Sequence, residues 1–125
     1  MNTDGLLKTL GAEISTASSD EVVVTLTVDE RHLQPFGILH GGIHCTLVET
    51  AASIGAWYAA GQDKQVVGAE NHTSFLKPAQ SGAVLTARAT PVSIGRRAHL
   101  WQVDVKDQDE TLLASGRVRM FVLNP

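Results

Sequence analysis

Cysteine is all but missing from this 125-residue chain, in which Cys45 stands alone. One thiol cannot close an intrachain disulfide or furnish a Cys-based zinc site, so a reducing compartment is expected. Basic charge is also scarce. Ten Lys and Arg stand against 13 Asp and Glu, for a formal net charge of −3 and a pI near 5.9. That excludes a general nucleic-acid-binding surface, which needs a basic face, but leaves room for a small basic patch against a phosphorylated ligand. No uninterrupted apolar run reaches membrane-spanning length. The longest, residues 43–60, contains His44 and Glu49, whereas a span needs about 20 mostly apolar residues without a central charge. Residues 1–11 hold one lysine and no apolar stretch suited to a signal peptide. The expectation is a soluble, cytoplasmic protein with no membrane and no nucleic acid among its partners. Repeats, low-complexity tracts and long linkers are missing too, so residues 1–125 read as one domain.

What is present suits a folded core: 43% of residues are hydrophobic and 18% charged. A core of this size is modest, which favours an oligomer. Leu6–Leu10 reads as a short helix ended by Gly11. Two strands are expected before the next helix. The clearer one is residues 21–28, where Val22, Val24, Leu26 and Val28 share the face that covers a core. Residues 29–39 are irregular, punctuated by Pro35 and Gly37. Gly41–Ala60 is apolar or small nearly all round, the pattern of a buried helix, with Gly61 placed to end it in the left-handed conformation. Residues 65–75, 83–94, 98–105 and 112–123 are strand-like, and their short connections indicate an antiparallel sheet. The fold class is α+β, with the sheet curled around one long central helix.

Residues 34–53 carry the unusual chemistry. Gly41 and Gly42 begin the long helix instead of following its end, at a cost of about 1 kcal/mol each relative to alanine. In return they let a ligand approach the free N–H groups of the first turn, a place for developing negative charge. The alternative is a glycine-rich loop that only lets the helix pack closely. Glu49 lies mid-helix between Val48 and Ala51. A buried carboxylate is costly unless paired or used, and burial favours its protonated form, which suits general-base work. The alternatives are a carboxylate satisfied by a neighbour or facing solvent. Ser53, four residues on, shares its helix face and could orient it. Gly41 and Glu49 are separated by about 12 Å along one helix, so one carbonyl cannot touch both. Two copies of the helix, antiparallel across a two-fold axis, would bring them together.

The order Gln34-Pro-Phe-Gly, then His40-Gly-Gly, then Glu49-Thr and Ser53 resembles hotdog-fold thioesterases of the phenylacetyl-CoA and 4-hydroxybenzoyl-CoA type. Relatives acting on 1,4-dihydroxy-2-naphthoyl-CoA and on aryl carrier proteins share it. The resemblance implies an acyl-CoA thioesterase that needs no cofactor and no metal, coenzyme A being part of the substrate. It implies a homodimer, paired into a homotetramer. The Gly41 N–H, with Gly42 beside it, would polarise the thioester carbonyl. His40 and Gln34 would place substrate or water. Glu49 of the opposing subunit would be nucleophile or general base, supported by Ser53. Coenzyme A phosphates would meet Gly95, Arg96, Arg97 and Lys77, arginine offering a planar fork to two oxygens; the alternative is ordinary solvated charge. Val67, Gly68, Asn71 and Phe75 would line the pantetheine or acyl tunnel. Phe75 and Leu76 stand where certain members have polar or histidine residues, so acyl selectivity is open.

Other signals are weaker. His40 and His44 are four apart but lack the His-Glu-x-x-His zinc spacing. His32, His72 and His99 read as structural. No Gly-x-Ser-x-Gly elbow occurs. Trp57, Tyr58 and Trp101 read as packing residues or tunnel walls. Two other functions fit the same architecture: a β-hydroxyacyl-thioester dehydratase or hydratase, and a non-catalytic acyl-CoA binding dimer, for which Glu49 would be dispensable.

Overall fold

The computed structural model describes residues 1–125. In chain order the elements are α1 (Leu6–Leu10), β1 (Glu13–Ala17), β2 (Val22–Thr27), a 3-10 turn at Glu30–His32, α2 (Gly41–Ala60), β3 (Val66–Phe75), β4 (Val84–Ile94), β5 (Ala98–Lys106) and β6 (Leu112–Val122). The six strands form one antiparallel sheet in the order β1-β2-β4-β5-β6-β3, and α2 is the single long helix it wraps.

The strand period of two dictates the core. In β5 the odd positions His99, Trp101, Val103 and Val105 are buried against α2 while the even ones face outward. Leu47, Val48, Ala51, Ala52 and Ala56 cover the facing side of the helix. Small residues decide how closely the layers meet. A Cβ on Gly55 would lie 2.6 Å from the Trp101 ring, and one on Gly116 would lie 2.9 Å from Val48 Cγ1. Trp101, fully buried, is therefore core and not a tunnel wall.

Three local features differ from the sequence reading or lie outside it. Gly61 ends α2 with φ 102° and ψ 131°, not in the left-handed helical region that Gly11 adopts at φ 75° and ψ 24°. The chain leaves α2 extended, which still calls for glycine because φ is positive. Val23, on the outer face of β2, is covered as well as its inward neighbours. Finally, β3 does not pair with β4, its neighbour in sequence. It pairs with β6 at the sheet edge, while β2 pairs with β4. Residues 76–83 carry the chain away from that edge, so β3 is left beside α2 with no strand on its outer side.

The segment before α2 is anchored by His32. Its Nδ1 accepts from the Asp29 N–H at 2.9 Å, so Nε2 carries the proton and donates to the Leu10 carbonyl at 2.8 Å. The His32 carbonyl accepts from the His40 N–H at 2.9 Å, and Leu39 N–H donates to Ala79 O at 2.9 Å. This histidine is structural: it ties α1, the irregular loop and the start of α2 into one body.

Candidate active site

His40 caps α2, its Nδ1 accepting from the Gly42 N–H at 2.8 Å. Ile43 N–H donates to the His40 carbonyl at 2.9 Å, while the Gly41 N–H has no partner in the chain. Of the donors opening the helix, Gly41's is thus the one left to a ligand. A Cβ at Gly41 would lie 2.9 Å from Phe75 Cζ, so glycine is what lets the aromatic ring rest on the helix start. A cavity of about 410 Å³ opens here, with Gln34, Gly41, His44, Phe75 and Lys77 in its wall. Gln34 Oε1 accepts from the Phe36 N–H, which holds the side chain in the tight turn around Gly37.

Two turns further along α2, Glu49 is half-buried, not enclosed as the apolar helix suggested. The reason is its position opposite the edge strand, where the sheet stops. β3 supplies its surroundings. Asn71 Nδ2 donates to Glu49 Oε1 at 3.3 Å and to the Cys45 carbonyl at 3.1 Å, and Asn71 Oδ1 accepts from Thr73 Oγ1 at 2.7 Å. The Cys45 carbonyl can only accept, so it fixes which way the amide faces. A Cβ on Gly68 would fall 1.9 Å from Glu49 Oε2. Gly68 and Asn71, expected along a substrate tunnel, therefore face the carboxylate itself. Val67 cannot join them. Consecutive strand residues point to opposite faces, and Val67 pairs with Phe121 on the outer side. Ser53 turns inward, its hydroxyl 3.8 Å from Met120 Sδ; in the single chain Asn71, not Ser53, orients Glu49.

Gly95, Arg96 and Arg97 form the exposed β4–β5 turn beside Ala60, at the far end of α2 from Gly41. The length of α2 separates them from Lys77, roughly 29 Å at helical rise. One chain does not gather the expected phosphate-binding set. The other histidines sort by their partners. His99 is buried, its Nδ1 3.5 Å from the Trp101 Nε1 donor, and burial lowers its pKa against a raising backbone contact from Gly95. His72 is exposed opposite Arg117. His44, which the sequence offered only as half of an imperfect zinc pair, is the residue sequence reasoning missed. It is buried in the cavity wall, and burial pushes its pKa down to about 4. A signal was available: His44 is three residues from Gly41, on the same helix face. No three His, Cys, Asp or Glu side chains come together as a metal-binding group.

The family profile of the thioesterase superfamily matches residues 36–114. The chain belongs to the thioesterase superfamily. Its fold is the hotdog fold of that family. A 1,4-dihydroxy-2-naphthoyl-CoA hydrolase from Listeria monocytogenes is 40% identical over 118 residues, spanning 94% of this chain and 95% of that protein. The crystal structure of a thioesterase from Haemophilus influenzae matches with TM-score 0.88 at 38% identity, covering 94% of this chain and 82% of that one. A Staphylococcus aureus thioesterase matches with TM-score 0.89 at 30% identity, covering 94% and 97%. That protein has been solved with one glutamate, and separately one glutamine, replaced by alanine. The two positions lie 15 apart, the separation of Gln34 and Glu49 here. No helix of the chain is long and apolar enough to cross a membrane.

Proposed function

We propose that this thioesterase-superfamily protein hydrolyses an acyl-CoA, with an aromatic acyl group, to the free acid and coenzyme A at a site shared by two subunits. The observation that carries the reading is the unpartnered Gly41 N–H opening on a cavity at the start of α2. It would bind the thioester carbonyl and stabilise the negative charge that builds on its oxygen. Glu49 is the other half. With Oε1 held by Asn71, Oε2 is left to act, either taking a proton from water as it attacks the carbonyl carbon or attacking that carbon itself. In the first case the tetrahedral oxyanion collapses with loss of the coenzyme A thiolate, which takes the proton back from Glu49 and leaves as the thiol. In the second an acyl anhydride forms with loss of the thiolate, and water then cleaves it. Both routes use one carboxylate.

The two halves are about 12 Å apart within one chain, so Glu49 must come from the partner subunit. The unpaired outer edge of β3, ten residues long and alongside α2, supports such a pairing. Antiparallel α2 helices that bring Gly41 to the partner's Glu49 also carry the partner's β4–β5 turn about 16 Å beyond the Gly41 end. Arg96 and Arg97 of the partner subunit would then meet the coenzyme A phosphates while Lys77 stands nearer the thioester. Pairing of dimers into a homotetramer, which rests on the family resemblance, and a cytoplasmic location, which rests on the single cysteine and the lack of a membrane-length apolar run, complete the reading.

Free-thiol release from benzoyl-, phenylacetyl-, 1,4-dihydroxy-2-naphthoyl- and straight-chain acyl-CoAs tests it, with wild type beside Glu49→Gln. Wild type should turn over at least one aromatic thioester, and the variant should lose about a thousandfold in kcat. No release from any thioester would overturn the reading. Equal rates for the two proteins would remove Glu49 from the mechanism.

A further inference from the structure

We propose that the His44 imidazole is the acyl-selectivity element of the cavity, hydrogen-bonding a hydroxyl group carried on the acyl part of the substrate. The inference rests on the thioesterase reading of the same cavity. It starts from an imbalance: His44 is only 3% exposed, yet neither ring nitrogen hydrogen-bonds to anything in the chain, and Nδ1 is closed off from solvent. Buried polar atoms are nearly always paired, because an unpaired one forfeits its hydration for nothing. His32, equally buried, has both nitrogens satisfied.

Position selects the ligand. His44 and Gly41 share a helix face about 5–6 Å apart, and helical side chains lean toward the N-terminus, carrying the ring toward Gly41. Phe75 confirms how near the two are: its ring lies 2.9 Å from where a Gly41 Cβ would be, and its centroid is 6.1 Å from that of His44 at 28° between planes. With coenzyme A running toward the partner's β4–β5 turn beyond the Gly41 end, the acyl side of a carbonyl held by the Gly41 N–H falls toward this imidazole and this aromatic ring. Chemistry narrows the class further. A buried imidazole stays neutral and offers one N–H and one lone pair. With Nδ1 closed off, Nε2 is the nitrogen a ligand can reach, and a hydroxyl can donate to it or accept from it, without the opposite charge that a carboxylate or ammonium would demand. Phe75 provides the flat apolar wall that an aryl ring carrying that hydroxyl would lie on.

The test compares kcat/KM for 3-hydroxybenzoyl-CoA and 4-hydroxybenzoyl-CoA with that for benzoyl-CoA, in wild type, His44→Phe and His44→Gln. Wild type should prefer one hydroxylated thioester about tenfold to a hundredfold. The preference should collapse toward unity in His44→Phe and partly return in His44→Gln, which keeps a hydrogen-bonding amide. A ratio unchanged by His44→Phe, or no preference in wild type, overturns the proposal. Ring 15N resonances of His44 in the wild-type protein, titrated with the product acids, read the same contact without turnover. The favoured hydroxybenzoate should shift them and benzoate should not; equal shifts overturn the proposal. Should wild type release no thiol at all, the hydrolase reading fails alone and this titration still decides the role of His44.

Discussion

Two buried histidines, twelve residues apart, divide this molecule into the part that holds it together and the part that can act. His32 is 1% exposed and His44 is 3% exposed, so burial does not separate them. Partners do. His32 spends both nitrogens on backbone, joining α1 to the loop before α2. His44 spends neither and sits in the wall of the cavity that also holds the free Gly41 N–H. The carboxamides show both uses within one side chain. Gln34 gives its Oε1 to its own turn yet stands in the cavity wall with no chain partner for its Nε2, and Asn71 takes Thr73 on its Oδ1 while its Nδ2 turns toward a carboxylate. A polar group that closes a local circuit is scaffold; one presented to a cavity or to a carboxylate is a candidate for chemistry.

The largest expected effect on this contrast is one of pH. Burial lowers the His44 pKa from 6.5 to about 4. Above pH 6.5 the ring is neutral in folded and unfolded chains and adds nothing to a pH slope. As the pH falls below 6.5 the unfolded state takes up the proton first, so stability is lost progressively down to about pH 4, by about 3 kcal/mol in all. Urea unfolding at pH 7 and pH 4.5 should show that loss, and His44→Phe should remove most of it, with a smaller part remaining from His99. An identical acid sensitivity in the variant would mean that His44 pays no burial penalty, and the contrast with His32 would dissolve.

Next comes His32→Ala, which leaves the Asp29 N–H and the Leu10 carbonyl without their partner. About 2–3 kcal/mol of stability should go, read as a lower urea midpoint at pH 7 with the slope unchanged. A variant as stable as wild type would show that His32 is not the tie it is drawn to be. The smallest effect sharpens the site side. Asn71→Ala should lower kcat about tenfold with KM little changed, because the carboxylate loses its orientation but not its charge. Thr73→Val, which removes only the support of Asn71, should cost a few-fold. If KM rises instead while kcat holds, Asn71 contacts substrate and does not position Glu49.

The elements themselves were legible in the sequence wherever local patterning is strong. The twenty residues from Gly41 to Ala60, apolar or small nearly all round, read as a buried helix, and the alternation over residues 21–28 assigned the inner face of β2. The Gly-Gly start of that helix and Glu49 within it stood out because each breaks a local rule. For Ser53 the sequence offered a helix face shared with Glu49 but not the element lying beneath it; in the single chain β6 presents Met120 there, with its Sδ 3.8 Å from the hydroxyl. Arg96 and Arg97 were legible as an exposed pair but not as a pair lying at the far end of α2 from Lys77.

By itself, then, the sequence determined which segments are helix and strand, which faces are apolar, and which residues are chemically out of place, because these follow from periodicities of 3.6 and 2 within a few neighbours. Only the tertiary structure decided what those residues meet. β3 pairs with β6 and not with β4, a choice made by register and layer packing across some fifty residues. That choice alone lays Gly68 and Asn71 against Glu49, rests Phe75 on Gly41, and leaves His44 buried without a partner.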